Sequence, residues 1–67
     1  MRVLGIDPGS ETLGWGVVEG VGLKYTLVDY GTVRSNTRHA FSKRLLNIYD
    51  AVADLMALHS PDVLSVE

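Results

Sequence analysis

Cysteine is absent from this 67-residue chain, so no disulfide and no thiolate metal site can support its small core. Long apolar runs are also absent, since none approaches the roughly 18 residues that are needed to span a bilayer. The N-terminus lacks a signal-peptide pattern. These absences exclude disulfide scaffolds and membrane-spanning proteins, and we expect a cytoplasmic protein that has no membrane partner.

Acidic residues are missing from one long segment of the chain. Residues 30–49 contain no Asp or Glu. The same segment holds four cations: Arg34, Arg38, Lys43 and Arg44. Although the net charge is only −2, this asymmetry can make one face of the protein positive. The segment is either a phosphate-binding surface or a solvated loop and helix turn.

The residues that are present are typical of one small globular domain. Hydrophobic residues make up 46% of the chain and charged residues 21%, which separates it from disordered sequences. A domain of this size buries only about 60% of the surface of its unfolded chain, so we expect a marginal core.

Hydrophobic periodicity predicts four strands and one helix in the order β-β-β-α-β. The predicted strands are 2–7, 13–19, 23–34 and 62–67. In the second strand, Gly14 and Gly16 alternate with larger residues, so one face of that strand carries no side chains. Such a face is typical of close approach by another backbone or a packed element. Gly31 is expected to form a bulge or bend in the third strand, and we expect Trp15 and Tyr25 to lie in the core.

Apolar residues at spacings of three and four predict the helix. They are Phe41, Leu45, Ile48, Tyr49, Val52, Leu55 and Met56. We expect this stripe to be the core-facing side of the helix. Because proline cannot continue a helix, the stretch 59–61, His-Ser-Pro, is expected to end it.

The first and last predicted strands both end on an acid, Asp7 and Glu67. A helical crossover usually returns a strand parallel to a neighbour. If that neighbour is the first strand, the two carboxylates lie side by side at the edge where open α/β sheets bind ligands. Adjacent carboxylates repel, and such oxygen ligands suit Mg²⁺ or Mn²⁺, which in pairs can promote phosphodiester cleavage. The alternative is that each acid only stabilises a turn.

Three segments resemble the RuvC family of bacterial Holliday-junction resolvases, which belong to the RNase H-like superfamily. Residues 3–18, VLGIDPGSETLGWGVV, are similar to the family's G-I-D-P-G-S/T strand end and the G-x-G that follows it. Residues 42–52, SKRLLNIYDAV, are similar to its first helix, and residues 61–67, PDVLSVE, to its P-D-x-x-A/S-x-E strand. The resemblance implies an α/β RNase H-like fold, with the helix packed on a mixed sheet. It also implies that residues 1–67 are the N-terminal part of a single nuclease domain.

The same resemblance implies a chemistry. By position, Asp7 and Glu67 match two of the family's four catalytic acids, which bind two divalent ions, Mg²⁺ or Mn²⁺. Family members are homodimers that cut four-way DNA junctions during recombination and repair, and they work with a branch-migration complex of RuvA and RuvB. The other two acids are not in these 67 residues, so the chain alone is expected to be inactive.

Two other functions remain open from the sequence. Actin-like and sugar-kinase-type ATPases also begin with a strand that ends in Asp before a hairpin, and in them residues 9–12 would hold the phosphates of ATP. The third possibility is a non-catalytic fragment that folds or self-associates.

Overall fold

The computed structural model describes residues 1–9, 11–36 and 38–67 and contains five elements. They are β1 (Arg2–Pro8), β2 (Thr12–Val21), β3 (Lys24–Arg34), α1 (Phe41–His59) and β4 (Val63–Val66). The order predicted from periodicity is confirmed, and each predicted strand overlaps the observed one. Within the described ranges, no helix combines the length and the apolar character that crossing a membrane requires.

The four strands form one mixed sheet in the order β3-β2-β1-β4. β2 pairs antiparallel with both β1 and β3, so the first three strands form a meander. β4 returns through α1 and pairs parallel with β1, with Val3 opposite Val63 and Ile6 opposite Val66. The crossover expected from the β-α-β order is therefore confirmed.

The irregularity in β3 lies at a different residue from the predicted one. Val17 pairs with Asp29 and Val18 with Leu27, so Val28 is the extra residue of a bulge. Gly31 instead pairs with Trp15 in regular register. The prediction that Gly31 forms a bulge is wrong. Its side-chain position is filled by Trp15, because a Cβ at residue 31 would lie 2.9 Å from the indole Cζ2.

Residues that alternate along β1 and β2 build the core on one face of the sheet. Leu4, Leu13 and Val17 are buried there. Trp15 shares that face, is half-buried and packs against His59 of α1, with ring centroids 5.8 Å apart, so its expected packing against the helix is confirmed. The prediction for Tyr25 is wrong: its side chain is 65% exposed, near the turn that joins β2 and β3.

Only part of the predicted apolar stripe of α1 faces the sheet. Ile48, Val52 and Leu55 are half-buried, whereas Leu45, Tyr49 and Met56 are 54%, 70% and 42% exposed. Phe41 at the helix start is also exposed. At 100° per residue, the half-buried residues Ile48, Val52 and Leu55 lie on one side of the helix. The exposed residues Leu45, Tyr49 and Met56 lie on the neighbouring side. The sheet covers one of these sides, so the prediction of one continuous core stripe is wrong for the exposed residues.

Polar contacts hold the C-terminal end of α1 against the beginning of β1. Arg2 donates from Nη1 to the carbonyl oxygen of His59 at 3.0 Å. The backbone of Arg2 exchanges two bonds of 2.8 Å with Asp62, donating to its Oδ2 and accepting from its backbone N–H. His59 is itself buried, and its Nε2 lies 3.2 Å from Oδ2 of Asp29 on β3. We call Arg2, Asp62, His59 and Asp29 the helix clasp.

Candidate metal centre

Asp7 lies at the carboxyl end of β1, one residue before the strand ends at Pro8. The chain then turns tightly, because the backbone N–H of Gly9 donates to the carbonyl oxygen of Thr12 at 2.7 Å. A Cβ on residue 9 would lie 2.7 Å from that same oxygen, closer than side-chain carbons come in real proteins. Glycine is therefore needed for the turn that leaves the carboxylate of Asp7 exposed at the sheet edge.

Glu67 lies at the same edge, immediately after β4. Its backbone N–H donates to the carbonyl oxygen of Ile6 at 3.1 Å, which continues the parallel ladder beyond the Ile6–Val66 pair. Asp7 and Glu67 therefore occupy neighbouring positions on adjacent parallel strands, which lie about 4.8 Å apart. The sequence predicted this juxtaposition only if the last strand pairs with the first, and the structure has that pairing.

Both acids face a shallow cleft on the side of the sheet that α1 does not cover. Because side chains alternate along a strand, Gly5 lies on the same face as Asp7, and Ser65 on the same face as Glu67. Gly16 pairs with Gly5, and Gly14 with Asp7. These small residues form the floor of a cleft of about 270 Å³, with the two acids at one end. The side-chain-free face predicted for β2 is confirmed, and it faces this cleft.

Sequence reasoning missed two residues of this floor, Gly5 and Ser65. Each precedes one of the acids by two positions. The signal was available, because residues two apart in a strand share a face.

The two carboxylates suit one hard divalent cation. Magnesium is typically held by one or two carboxylates, with water and substrate phosphate oxygens completing the octahedron. In the part of the chain that the structure describes, no group of three or more His, Cys, Asp or Glu side chains could hold a metal. Asp7 and Glu67 can thus supply part of a coordination shell and leave most of it to water and a phosphate.

Comparison with known proteins identifies the family. The family model described as Crossover junction endodeoxyribonuclease RuvC matches residues 3–67. The chain belongs to the RuvC family. Its relatives carry the name Crossover junction endodeoxyribonuclease RuvC. The relative from Ralstonia pickettii is 45% identical over the whole of this chain, and that from Chelativorans sp. is 40% identical. This membership favours the resolvase interpretation of the sequence over the ATPase interpretation.

A solved structure shows that the fold is also that of the RuvC family. T. thermophilus RuvC in complex with Holliday junction substrate superimposes with a TM-score of 0.88 and 33% identity over 98% of this chain. The RNase H-like fold class predicted from the sequence is confirmed. The chain covers 42% of that structure, and 37% and 39% of the two relatives. It therefore spans about two fifths of the length of the RuvC proteins that it matches.

The four basic residues of the acid-free segment lie in three different settings. Arg34 ends β3, where it pairs with Thr12 of β2. Arg38 is exposed in the connection before α1, and its backbone N–H donates to Oδ1 of Asn36 at 3.0 Å. Lys43 and Arg44 lie near the start of α1, where Lys43 is exposed and Arg44 half-buried. The structure does not join the four into one continuous surface of sheet or helix.

Proposed function

We propose that this chain is the N-terminal part, residues 1–67, of one RNase H-like nuclease domain that cuts four-way DNA junctions in recombination and repair. Mg²⁺ or Mn²⁺ would be held by Asp7 and Glu67. One observation carries the proposal: in a member of the RuvC family, parallel pairing of β1 and β4 puts two acids side by side in a glycine-floored cleft. Such a cleft leaves room for a DNA phosphate to approach the acids.

In this proposal the chain's own residues have separate tasks. The carboxylates of Asp7 and Glu67 hold the positive charge at the sheet edge, and the backbone of Gly5 and Gly14 admits the phosphate beside it. A bound divalent cation would neutralise the phosphate and promote attack by water. Two ions per site, as the family resemblance implies, need further ligands from outside residues 1–67. We therefore expect negligible junction cleavage by the 67-residue chain alone.

The substrate and partners follow from the family. A structural relative was solved in complex with Holliday junction substrate, which supports the four-way junction as substrate here. A four-way junction presents two equivalent strands, so a homodimer with two clefts suits paired cuts. Action on such DNA would place the protein in the cytoplasm, working with a branch-migration complex of RuvA and RuvB.

The metal site is tested by Mn²⁺ titration of the chain, followed by electron paramagnetic resonance of the free ion. Asp7→Asn and Glu67→Gln each remove one charged ligand, so Mn²⁺ should bind roughly tenfold more weakly or worse, since even outer-shell changes cost that much. Asp54→Asn is the matched control, because Asp54 is exposed on α1 and away from the cleft. Equal Mn²⁺ affinity in all three variants would contradict the proposed metal-binding role of Asp7 and Glu67.

Cleavage is tested in a chimera in which residues 1–67 replace the matching segment of the Ralstonia pickettii relative. The chimera should cut a labelled four-way junction in the presence of Mg²⁺. Asp7→Asn in the chimera should abolish cutting and leave junction binding largely intact, because the DNA contacts are spread over many residues. A chimera that cuts equally well with Asn at position 7 would contradict the proposed nuclease role.

A further inference from the structure

The C-terminal end of β3 carries side chains on the same face of the sheet as the two acids. Gly14 pairs with both Asp7 on β1 and Thr32 on β3, so these three residues form one row across the sheet. Arg34 lies two residues beyond Thr32 and pairs with Thr12. Since side chains two apart share a face, Arg34 is on the cleft face.

No side chain stands between Asp7 on β1 and Thr32 on β3, because the residue between them on β2 is glycine. With strands about 4.8 Å apart, Asp7 and Thr32 are separated by roughly 10 Å, and Gly14 alone stands between them. Arg34 is one further step of about 7 Å along β3. A phosphate chain that starts at the acids can therefore cross β2 over Gly14 and arrive within the reach of a long Arg side chain.

The guanidinium of Arg34 is available for such a contact. It is exposed, and it forms no ion pair with any residue in the ranges 1–9, 11–36 and 38–67. Thr12, which is directly opposite on β2, is also exposed and offers a hydroxyl donor. Guanidinium groups bind phosphate through paired N–H donors, and such contacts fix the position of a strand without reading its sequence.

The helix that carries two of the other cations packs on the opposite face of the sheet. His59 of α1 contacts Trp15 and Asp29, which alternate onto the face opposite Gly14 and Gly16. α1 therefore packs on the face opposite the cleft, and it carries Lys43 and Arg44 with it. Arg38 lies in the connection that leaves the sheet for this helix.

We propose that Arg34 is a positioning residue that binds a backbone phosphate of the DNA strand being cut, one or a few nucleotides from the phosphate at Asp7 and Glu67. The strand crosses the sheet over Gly14, from β1 towards the end of β3. The inference rests on the proposed function, because it takes the acids as the position of the cut phosphate.

The experiment measures the affinity of the chain for a four-way DNA junction as a function of salt, by fluorescence anisotropy. Loss of one phosphate contact lowers the slope of log K against log salt by about one. Arg34→Gln should show this reduction, and Arg34→Lys should restore most of the slope. Lys24→Gln is the matched control, since Lys24 is exposed at the opposite end of β3, roughly 33 Å away along the strand.

Three results would overturn the inference: an unchanged slope in Arg34→Gln, an equal reduction in Lys24→Gln, or junction binding too weak to give a slope even at low salt. The urea midpoint of each variant shows whether the fold is intact. Mn²⁺ binding separates this inference from the metal proposal. If Asp7→Asn keeps its Mn²⁺ affinity, the proposed metal site is contradicted and the Arg34 contact is not. If the salt slope is unchanged in Arg34→Gln, the Arg34 contact alone is contradicted.

Discussion

Two glycines on neighbouring strands meet very different surroundings. Gly31 lies beneath the ring of Trp15 on the helix-covered face, whereas a Cβ on Gly16 would meet nothing nearer than a backbone oxygen at 4.0 Å. The sequence predicted that Gly14 and Gly16 share a bare face, because alternation is a local property. It could not predict that Gly31 supports an aromatic ring, because that contact depends on the register between β2 and β3.

We expect Gly31→Ala to lower the free energy of unfolding by about 1–3 kcal/mol, because the added methyl overpacks the Trp15 site. Gly16→Ala should instead raise it by about 0.5–1 kcal/mol, because Ala loses less backbone entropy than Gly in a strand. Urea unfolding monitored by Trp15 fluorescence measures both. The same sign of change in the two variants would contradict the contrast between the faces.

At the scale of elements, hydrophobic periodicity predicted that α1 is a helix but not which of its sides packs on the sheet. Spacings of three and four predicted the helix, and the stretch 59–61 was expected to end it. The structure ends it at His59, with Ser60 in a left-handed conformation whose N–H donates to the carbonyl oxygen of Met56. The apolar residues, however, cover two adjacent sides of the helix. Choosing the side that packs requires the position of the sheet, which the helix sequence does not contain.

Leu55 and Leu45 distinguish the two sides of α1. A fully buried Leu→Ala change costs about 2–5 kcal/mol, so half-buried Leu55 should lose about 1–2 kcal/mol of unfolding free energy. Leu45→Ala, on the exposed side, should stay within about 0.5 kcal/mol. Both values come from urea denaturation. A larger loss for Leu45 would mean that the other side of α1 packs on the sheet.

For the molecule as a whole, the parallel return of β4 was predictable, whereas its neighbour in the sheet and the completeness of the core were not. The crossover rule predicted a strand parallel to some neighbour. The observed strand pairing identifies that neighbour as β1 and so puts Glu67 beside Asp7. The core is small: Leu4, Leu13 and Val17 are its buried hydrophobic residues in the described part of the chain. Much apolar surface remains exposed, including a groove of about 330 Å³ along α1 beside Leu46 and Tyr49.

We expect the 67-residue chain to self-associate, because exposed apolar patches of this kind favour association. Sedimentation velocity should show a mean mass that rises with concentration. Leu46→Lys should shift the population towards monomer, while Lys24→Gln, on the far strand, should not. A compact monomer at high concentration for the unmodified chain would contradict the expectation.

The helix clasp and the acid pair lie at opposite tips of β1, since Arg2 begins that strand and Asp7 stands near its end. The polar contacts that hold α1 and the proposed metal ligands are thus at opposite ends of a strand of seven residues. A saturation mutagenesis scan should accordingly fall into two classes: substitutions at Arg2 or Asp62 that reduce expression yield, and substitutions at Asp7 or Glu67 that leave yield untouched. That separation makes the Asp7 end of β1 a practical place to vary the metal preference proposed for the two acids.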